Sequence, residues 1–275
     1  MSWEPTRFVR FVESIGTSTY PARIETDQGE AYVKVINNPL GPQVLARELI
    51  GCKLAHWFGL STFDCAILDI QTDDEIWLAD GRHAEPGPAF ATRAIRGHTW
   101  GGREKELRKL ENPEDIPRLV IFDTWILNAD RHPPDGIVRK PNRDNVFLSS
   151  EGVGGGRARL VAMDHSECFI SSSRALDKKV SSIERIRDEH IYGLFPEFMP
   201  FVAKHFEEVK SAASKLANVR KSMVSDIVKT VPTCWQVSLQ GEQSLVDLVK
   251  RRADFLSDRI VEELHHLCRP GELPF

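Results

Sequence analysis

The sequence predicts an α+β fold, with strands in the front half of the chain and helices in the back half. Short segments that alternate apolar and polar residues fill most of the first hundred positions, whereas longer segments with helical spacing follow from about Asn112. The composition is that of a globular protein, because 41% of the 275 residues are hydrophobic and 28% are charged. We therefore expect a substantial hydrophobic core.

The front half is predicted to contain a strand, a hairpin, a helix and further strands. The segment "RFVRFVESIG" is typical of a strand, and "ARIETDQGEAYVKVIN" predicts a hairpin with its turn at Asp27 to Glu30. The segment "GPQVLARELIGCKLAHWFGL" predicts a helix that begins near Pro42 and ends at Gly59. Further strands are predicted in "TFDCAILDI", "EIWLA" and "PAFATRAI".

The back half is predicted to begin with a buried helix and a second strand pair. The segment "PEDIPRLVIFDTWIL" has helical spacing, and "NVFLSS" and "ARLVAMD" predict two strands joined by a glycine-rich turn at residues 152–156. Long helical patterns continue to the C-terminus. We expect His265 and His266 to lie at the solvated end of a helix that begins near Gln243.

Charge and cysteine content exclude several classes of protein. A formal charge of −4 and a pI near 6.2 disfavour a dedicated nucleic-acid binder. Five scattered cysteines without a CxxC pair argue against a disulfide framework and a zinc site, and favour a reducing cytoplasm. The first ten residues include the charged residues Glu4, Arg7 and Arg10 and are followed by no apolar signal-peptide core, so a signal peptide is not expected. No stretch approaches 18 consecutive apolar residues, so a membrane span is not expected either.

Two aspartates are candidates for a metal site. Asp130 and Asp164 each follow or end an apolar element, 34 residues apart, and a predicted hairpin lies between them. Converging carboxylates can hold Mg²⁺, which prefers oxygen ligands and shares them with substrate phosphates. An Asn between them would add a neutral oxygen ligand. We favour Asn145 because it immediately precedes the apolar run "VFL", which fixes it at the start of a strand. Asn142 is a competing candidate.

A lysine and a glutamate form a second candidate pair. Lys34 stands within a predicted strand, between Val33 and Val35, so an inward-pointing side chain there needs a partner. Glu48 can supply that partner, because it shares a face of the following helix with apolar residues.

Four of these residues also have an ordinary interpretation without any function. Asp130 could cap a helix end, Asp164 could cap a turn, Lys34 could be a solvated edge-strand lysine, and Glu48 could be an exposed helix residue.

The order and spelling of these motifs resemble a known family. Protein kinases use a strand Lys, a helix Glu, a loop Asp, an Asn and a later Asp, and the same order occurs here. The form "NADRH" followed by "NVFL" resembles the HipA-like kinases and, more distantly, the phosphatidylinositol kinases. The resemblance implies a two-lobed protein-kinase-like fold. A β-rich nucleotide-binding lobe would span residues 1–96, and a mainly helical lobe with the catalytic loop would span residues 97–275.

The resemblance also implies a role for each residue. Asp130 would accept the proton of the substrate hydroxyl, His132 would brace the loop, and Asn145 with Asp164 would bind Mg²⁺. Asn145 would thereby take part in catalysis as well. The residues that would contact ATP are Gly16, Thr17, Ser18, Lys34, Glu48, Thr92, Arg93 and Ala94. The sequence departs from the family in residues 133–144, an apparent insertion that leaves the choice between Asn142 and Asn145 open.

The implied reaction is transfer of the γ-phosphoryl group of ATP to a hydroxyl, with Mg²⁺ as the metal and a protein Ser or Thr as the acceptor. Two alternatives remain: a lipid or small-molecule kinase of the same fold, and a non-catalytic nucleotide-binding regulator. The family resemblance also suggests self-phosphorylation within "GTSTY", at Thr17, Ser18 or Thr19. The expected partners are ATP and a substrate protein, with no dedicated nucleic-acid binding and no membrane.

Overall fold

The computed structural model describes residues 3–134, 136, 139–169 and 175–269. Its strands are β1 (Phe8–Ser14), β2 (Ala22–Thr26), β3 (Gly29–Lys34), β4 (Cys65–Ile70), β5 (Gly87–Arg93), β6 (Gly97–Thr99), β7 (Val146–Ser149) and β8 (Arg159–Ala162). Its helices are α1 (Gln43–Phe58), α2 (Glu104–Leu107), α3 (Asp115–Ile126), α4 (Ile183–Ile186), α5 (Met199–Lys204), α6 (Phe206–Ala217), α7 (Lys221–Val228), α8 (Leu239–Ser257) and α9 (Ile260–Cys268). The predicted α+β fold is confirmed.

The front half forms a five-stranded antiparallel sheet with the strand order β1-β2-β3-β5-β4. The predicted hairpin is present, with Thr26 opposite Gly29 at its turn. Gly29 has a φ of +100°, a conformation that favours glycine. Strand β3 lies between β2 and β5. Lys34 therefore ends an interior strand, which excludes the interpretation as an edge-strand lysine.

Helix α1 packs beside this sheet with the predicted boundaries. It follows Pro42 and ends at Gly59, whose φ of +85° allows its N–H to donate to the His56 carbonyl at 3.0 Å. Residues along its whole length are buried, among them Leu45, at 0% exposed. Helix α1 belongs to the larger of two hydrophobic clusters, which it shares with the helices of the back half. It thus connects the sheet to the rest of the protein.

A second, three-stranded antiparallel sheet has the order β6-β7-β8. The predicted turn at residues 152–156 joins β7 to β8, and three of its glycines have positive φ. Helix α3 contacts β8 of this sheet, and Trp125 of α3 donates its indole N–H to the Val249 carbonyl of α8 at 2.8 Å. Strands β1 to β5 all precede residue 96, but α1 belongs to the core of the back half. The boundary between residues 96 and 97 stays a prediction.

Two local predictions are wrong. The segment "EIWLA" is not a strand of the sheet, because its backbone hydrogen bonds stay within one loop. The Leu78 N–H donates to the Arg82 carbonyl, and the Ala84 N–H donates to the Ile76 carbonyl. Its alternating pattern instead reflects burial of Ile76 and Leu78 against the sheet.

His265 is not solvated. It lies in α9, separate from α8, and is only 3% exposed because its ring packs at 5.5 Å from that of Phe206. His266 is exposed. Among the helices of the described residues, none has the length and apolar character needed to cross a membrane.

Candidate active site

Lys34 and Glu48 lie in contact where β3 faces α1. The Lys34 ammonium forms an ion pair with Glu48 Oε1, and its Nζ also lies 3.6 Å from Asp164 Oδ1. The side chains of Lys34 and Glu48 are 14% and 3% exposed. This burial excludes the interpretation of either residue as an ordinary surface charge. One cation thus serves two carboxylates, which leaves the cluster electrostatically suited to a second cation.

The charges of this cluster shift the pKa values of its members. Burial would lower the pKa of Lys34, but Asp164 and Glu48 together raise it well above its ordinary value. Burial alone would raise the pKa of Asp164, but the Lys34 charge and a hydrogen bond from Ser166 hold it below its ordinary range. Burial raises the pKa of Glu48, opposed by the Lys34 charge. At neutral pH, Lys34 is therefore charged and Asp164 is a carboxylate.

Helix α1 is also tied to the segment that follows Asp164. The backbone N–H of His165 donates to Glu48 Oε2 at 2.9 Å, and Arg47 Nε donates to the Ser166 carbonyl at 2.5 Å. Gly51 makes this close approach possible, because a Cβ at that position would lie 2.4 Å from the Cβ of His165. The helix therefore positions the segment that carries Asp164 through both hydrogen bonds and direct packing.

The β7–β8 hairpin brings Asn145 and Asp164 to the same end of a sheet. Asn145 immediately precedes β7, Asp164 lies two residues beyond β8, and Val146 pairs with Ala162. Asp164 itself has a φ of +55°, so the chain turns sharply there. Arg131 Nη2 donates to the Met163 carbonyl at 3.0 Å and so connects the loop after α3 to this hairpin end.

Asp130 lies in a hydrogen-bonded cluster with both candidate asparagines. Asn145 Nδ2 donates to Asp130 Oδ2 at 2.6 Å, and Asn142 Nδ2 lies 3.5 Å from the same oxygen. Asn142 also donates to Asn145 Oδ1 at 3.1 Å. The Asn142 backbone N–H donates to the Arg131 carbonyl at 2.8 Å, so Asn142 lies next to Arg131 although ten residues separate them. Asn145 therefore lies beside Asp130 although residues 133–144 separate it from His132.

A buried ion pair beneath this loop was not identified from the sequence. Arg131 Nε donates to Asp123 Oδ2 at 2.6 Å, and both side chains are fully buried. Asn128 Nδ2 donates to Asp123 Oδ1 at 3.0 Å. Burial raises the pKa of Asp123, and the Arg131 charge opposes that rise. An aspartate within the otherwise apolar helix segment "VIFDTWI" was the available signal, since a buried carboxylate requires partners.

Arg139 is a second residue that the sequence analysis missed. Its Nη2 donates to Asp130 Oδ1 at 2.5 Å, and its Nη1 donates to Glu167 Oε2 at 3.1 Å. Asp130 thus has a cation on one oxygen and an amide on the other. It is only 16% exposed, which excludes an ordinary surface aspartate.

His132 packs under the same loop. Its ring lies 4.9 Å from that of Phe195, and its carbonyl accepts a hydrogen bond from Gly193 N–H at 2.9 Å. Gly193 has a φ of +73°, and a Cβ there would lie 2.4 Å from Asp123 Oδ2. The bracing role of His132 stays a prediction.

The predicted phosphate-contacting turn joins β1 to β2. Gly16, Thr17 and Ser18 are exposed, whereas Thr19 is 2% exposed. The turn has internal hydrogen bonds, including Tyr20 N–H to the Thr17 carbonyl at 3.2 Å. Of the hydroxyls suggested for self-phosphorylation, those of Thr17 and Ser18 belong to exposed residues. Nucleotide contacts in this turn stay predictions.

The predicted nucleotide-contacting residues Thr92 and Arg93 end β5, Ala94 follows it, and their backbone already takes part in the sheet. Thr92 lies between Tyr32 of β3 and Cys65 of β4. The N–H groups of Arg93 and Ala94 donate to backbone carbonyls, each at 2.9 Å. The N–H groups of Arg93 and Ala94 can therefore donate to a nucleotide only if these hydrogen bonds break. Their assignment as ATP contacts stays a prediction.

The donor set at the hairpin end fits Mg²⁺. Among the residues that the structure describes, no three His, Cys, Asp or Glu side chains converge as a metal site. Mg²⁺ in phosphoryl-transfer sites does not need such a cage, because one or two protein oxygens and the substrate phosphates suffice. The Asp164 carboxylate and the amide oxygen of Asn145 or Asn142 are such hard oxygen donors.

The family model described as HipA-like kinase matches residues 11–265. The Helicobacter pylori proinflammatory kinase CtkA is 13% identical, with a TM-score of 0.60 over 96% of this chain and 99% of that protein, and so shows the same fold. The Shewanella oneidensis HipA of a HipA–HipB–operator DNA complex is 10% identical, with a TM-score of 0.47 over 96% of this chain and 66% of that one. A comparison with curated protein sequences gave no match.

Proposed function

Because the chain belongs to the HipA-like kinase family, we propose that it transfers the γ-phosphoryl group of ATP to a Ser or Thr hydroxyl of a protein. The observation that carries this proposal is the convergence of Lys34, Glu48 and Asp164 from a strand, a helix and a hairpin end. This arrangement supplies a charged lysine for phosphates and a carboxylate for a metal ion.

In the proposed reaction, Lys34 binds ATP phosphates and Glu48 orients it. Asp130 accepts the proton of the attacking hydroxyl and later releases it to solvent. The bond between the γ-phosphorus and its bridging oxygen breaks, the bond to the acceptor oxygen forms, and ADP leaves. Asp164 with Asn145 would hold Mg²⁺, which would neutralise phosphate charge. The protein's contribution is mainly positioning and electrostatic stabilisation.

The test is incubation of the purified protein with γ-labelled ATP, Mg²⁺ and a cell extract, followed by identification of the labelled molecules. We expect labelled Ser or Thr in one or a few proteins. Label confined to lipid or to a small molecule would contradict the protein acceptor but keep the kinase. Absence of any labelled product, together with tight nucleotide binding, would contradict phosphoryl transfer.

A non-catalytic nucleotide-binding regulator is a second candidate function. One observation favours it, since Arg139 forms an ion pair with the carboxylate that would have to accept the proton. Comparison of nucleotide binding with label transfer under the same conditions separates this function from a kinase.

A further inference from the structure

We propose that Arg139 is a catalytic residue, whose guanidinium leaves Asp130 when the acceptor hydroxyl binds and then contacts the phosphoryl group in transfer. This inference rests on the proposed kinase function and adds a residue to its site. Two observations support it: Arg139 is the more exposed of the two donors to Asp130, and a second carboxylate, Glu167, also binds Arg139.

Both oxygens of Asp130 already have donors. Arg139 Nη2 donates to Oδ1 at 2.5 Å, and Asn145 Nδ2 donates to Oδ2 at 2.6 Å. A hydroxyl that gives its proton to Asp130 needs one of these oxygens, so it must displace one donor. The contact with Arg139 therefore belongs to the state before the acceptor binds.

Arg139 is the donor that can move. Its side chain is 33% exposed, whereas Asn145 is 4% exposed and immediately precedes strand β7. Asn145 also accepts a hydrogen bond from Asn142 at 3.1 Å. Displacing Asn145 would disturb a buried cluster at the end of a sheet, whereas displacing Arg139 would move a partly solvated side chain.

A second carboxylate keeps Arg139 in the site once Asp130 is released. Arg139 Nη1 donates to Glu167 Oε2 at 3.1 Å, and Glu167 is 5% exposed. Because this contact uses the other terminal nitrogen, rotation of the guanidinium about Glu167 frees Nη2 without removing the residue. Glu167 lies three residues beyond Asp164, on the segment that α1 positions.

The freed N–H groups would face the reacting phosphorus. The acceptor oxygen must sit within hydrogen-bond distance of Asp130, and the phosphorus must bond to that same oxygen. A donor that now touches Asp130 therefore lies next to the equatorial phosphoryl oxygens during transfer. Arginine stays protonated and can bind two such oxygens at once, so it stabilises charge in the transition state and takes no proton.

The test compares Arg139→Ala and Arg139→Lys with a matched control, Lys140→Ala, which removes an exposed cation one residue along the same loop. One measurement is the affinity for ADP with Mg²⁺, with and without aluminium fluoride, which mimics the planar phosphoryl group and carries a water molecule in the position of the acceptor oxygen. The other is the rate at which extract proteins are labelled from γ-labelled ATP. Circular dichroism and thermal melting report whether each variant is folded.

We expect parent and Lys140→Ala to bind ADP more tightly when aluminium fluoride is present. Arg139→Ala should bind ADP with Mg²⁺ as the parent does, lose this tightening, and label proteins about 100-fold or more slowly. Arg139→Lys should recover part of both effects, because it restores the charge but not the planar fork. If Arg139→Ala does not fold, Arg139→Lys and Arg139→Gln carry the same comparison.

Two results overturn the inference while leaving the proposed function intact. One is full aluminium fluoride tightening in a folded Arg139→Ala. The other is faster labelling by Arg139→Ala than by the parent, which would show that Arg139 only blocks Asp130. Failure of the parent itself to bind ADP or ATP with Mg²⁺ would instead overturn the proposed function, and the role of Arg139 with it.

Discussion

Glu48 contacts both sides of the candidate site, since Oε1 pairs with Lys34 of β3 and Oε2 accepts the backbone N–H of His165 at 2.9 Å. A single buried carboxylate thus fixes the distance between the lysine strand and the segment that carries Asp164. Removing any of these partners leaves charge or a hydrogen-bond acceptor uncompensated in the interior.

Lys34→Ala is expected to weaken ATP binding in the presence of Mg²⁺ by about 10- to 100-fold, because it removes a charged hydrogen-bond donor to phosphate. Isothermal titration calorimetry measures this change. Lys53→Ala is the matched control, since Lys53 lies on α1 but donates to Thr230 at 2.8 Å. Equal ATP affinity in Lys34→Ala and the parent would show that Lys34 does not bind phosphate.

Asp130→Asn and Asp164→Asn are expected to affect different steps. Asp130→Asn should keep ATP binding but slow phosphoryl transfer by about 100- to 10,000-fold, because an amide cannot accept the hydroxyl proton. Asp164→Asn should weaken the binding that depends on Mg²⁺, because it removes a charged oxygen ligand. Parallel measurement of ATP affinity and label transfer distinguishes them. An equal loss of ATP affinity in both variants would contradict this division of roles.

Asn145→Ala is expected to raise the Mg²⁺ concentration needed for ATP binding by roughly 10-fold, whereas Asn142→Ala should change it much less. Asn145 Nδ2 donates a hydrogen bond to Asp130 at 2.6 Å, whereas Asn142 Nδ2 lies 3.5 Å away and its backbone N–H donates to the Arg131 carbonyl. Titration of Mg²⁺ at fixed ATP measures the difference. The reverse ranking would assign the metal to Asn142.

Gly51→Ala is expected to destabilise the protein, although alanine in a helix is favoured over glycine by about 1 kcal/mol. The new Cβ would lie 2.4 Å from that of His165, and overpacking of this kind costs about 1–3 kcal/mol. Because the clash pushes α1 away from the His165 backbone, ATP affinity should fall as well. Chemical denaturation and calorimetry measure the two effects. An increase in stability would show that the helix and this segment adjust freely.

Much of the fold followed from periodicity. The hairpin, helix α1 and the second strand pair were predicted because their side chains repeat with the period of the element that they form. The order of Lys34, Glu48, Asp130, Asn145 and Asp164, together with "NADRH" and "NVFL", indicated the family, and that prediction is confirmed. Periodicity also explains an error, since "EIWLA" buries alternate residues without pairing as a strand.

The remaining features depend on tertiary contacts that have no local pattern. Arg139 lies in an irregular loop, and nothing in its neighbours indicates that it returns to Asp130 and Glu167. The burial of His265 depends on Phe206, which lies 59 positions earlier in the chain. Such contacts are set by how elements pack and not by the spacing within one element.

A final prediction concerns acid stability and lies outside the candidate site. Asp188 accepts hydrogen bonds from Tyr192 Oη at 2.7 Å and from the backbone N–H of His190 at 2.9 Å, and it also contacts the His190 ring. Burial would raise the pKa of Asp188, but Tyr192 and His190 lower it below its ordinary value, helped by the charge of Arg252. The folded protein therefore holds the Asp188 proton less tightly than the unfolded chain does.

The sign of the effect follows from this difference. The stabilisation is complete above the unfolded pKa of Asp, near 4, and is lost as the pH falls through the lower folded value. Asp188→Asn removes this titration, so its free energy of unfolding should fall less steeply than that of the parent below about pH 4. Urea denaturation at a series of pH values measures the slopes, with Asp226→Asn, an exposed aspartate on α7, as the control. If Asp188→Asn and the parent lost stability in parallel below pH 4, the hydrogen bonds to Asp188 would not favour its charged form.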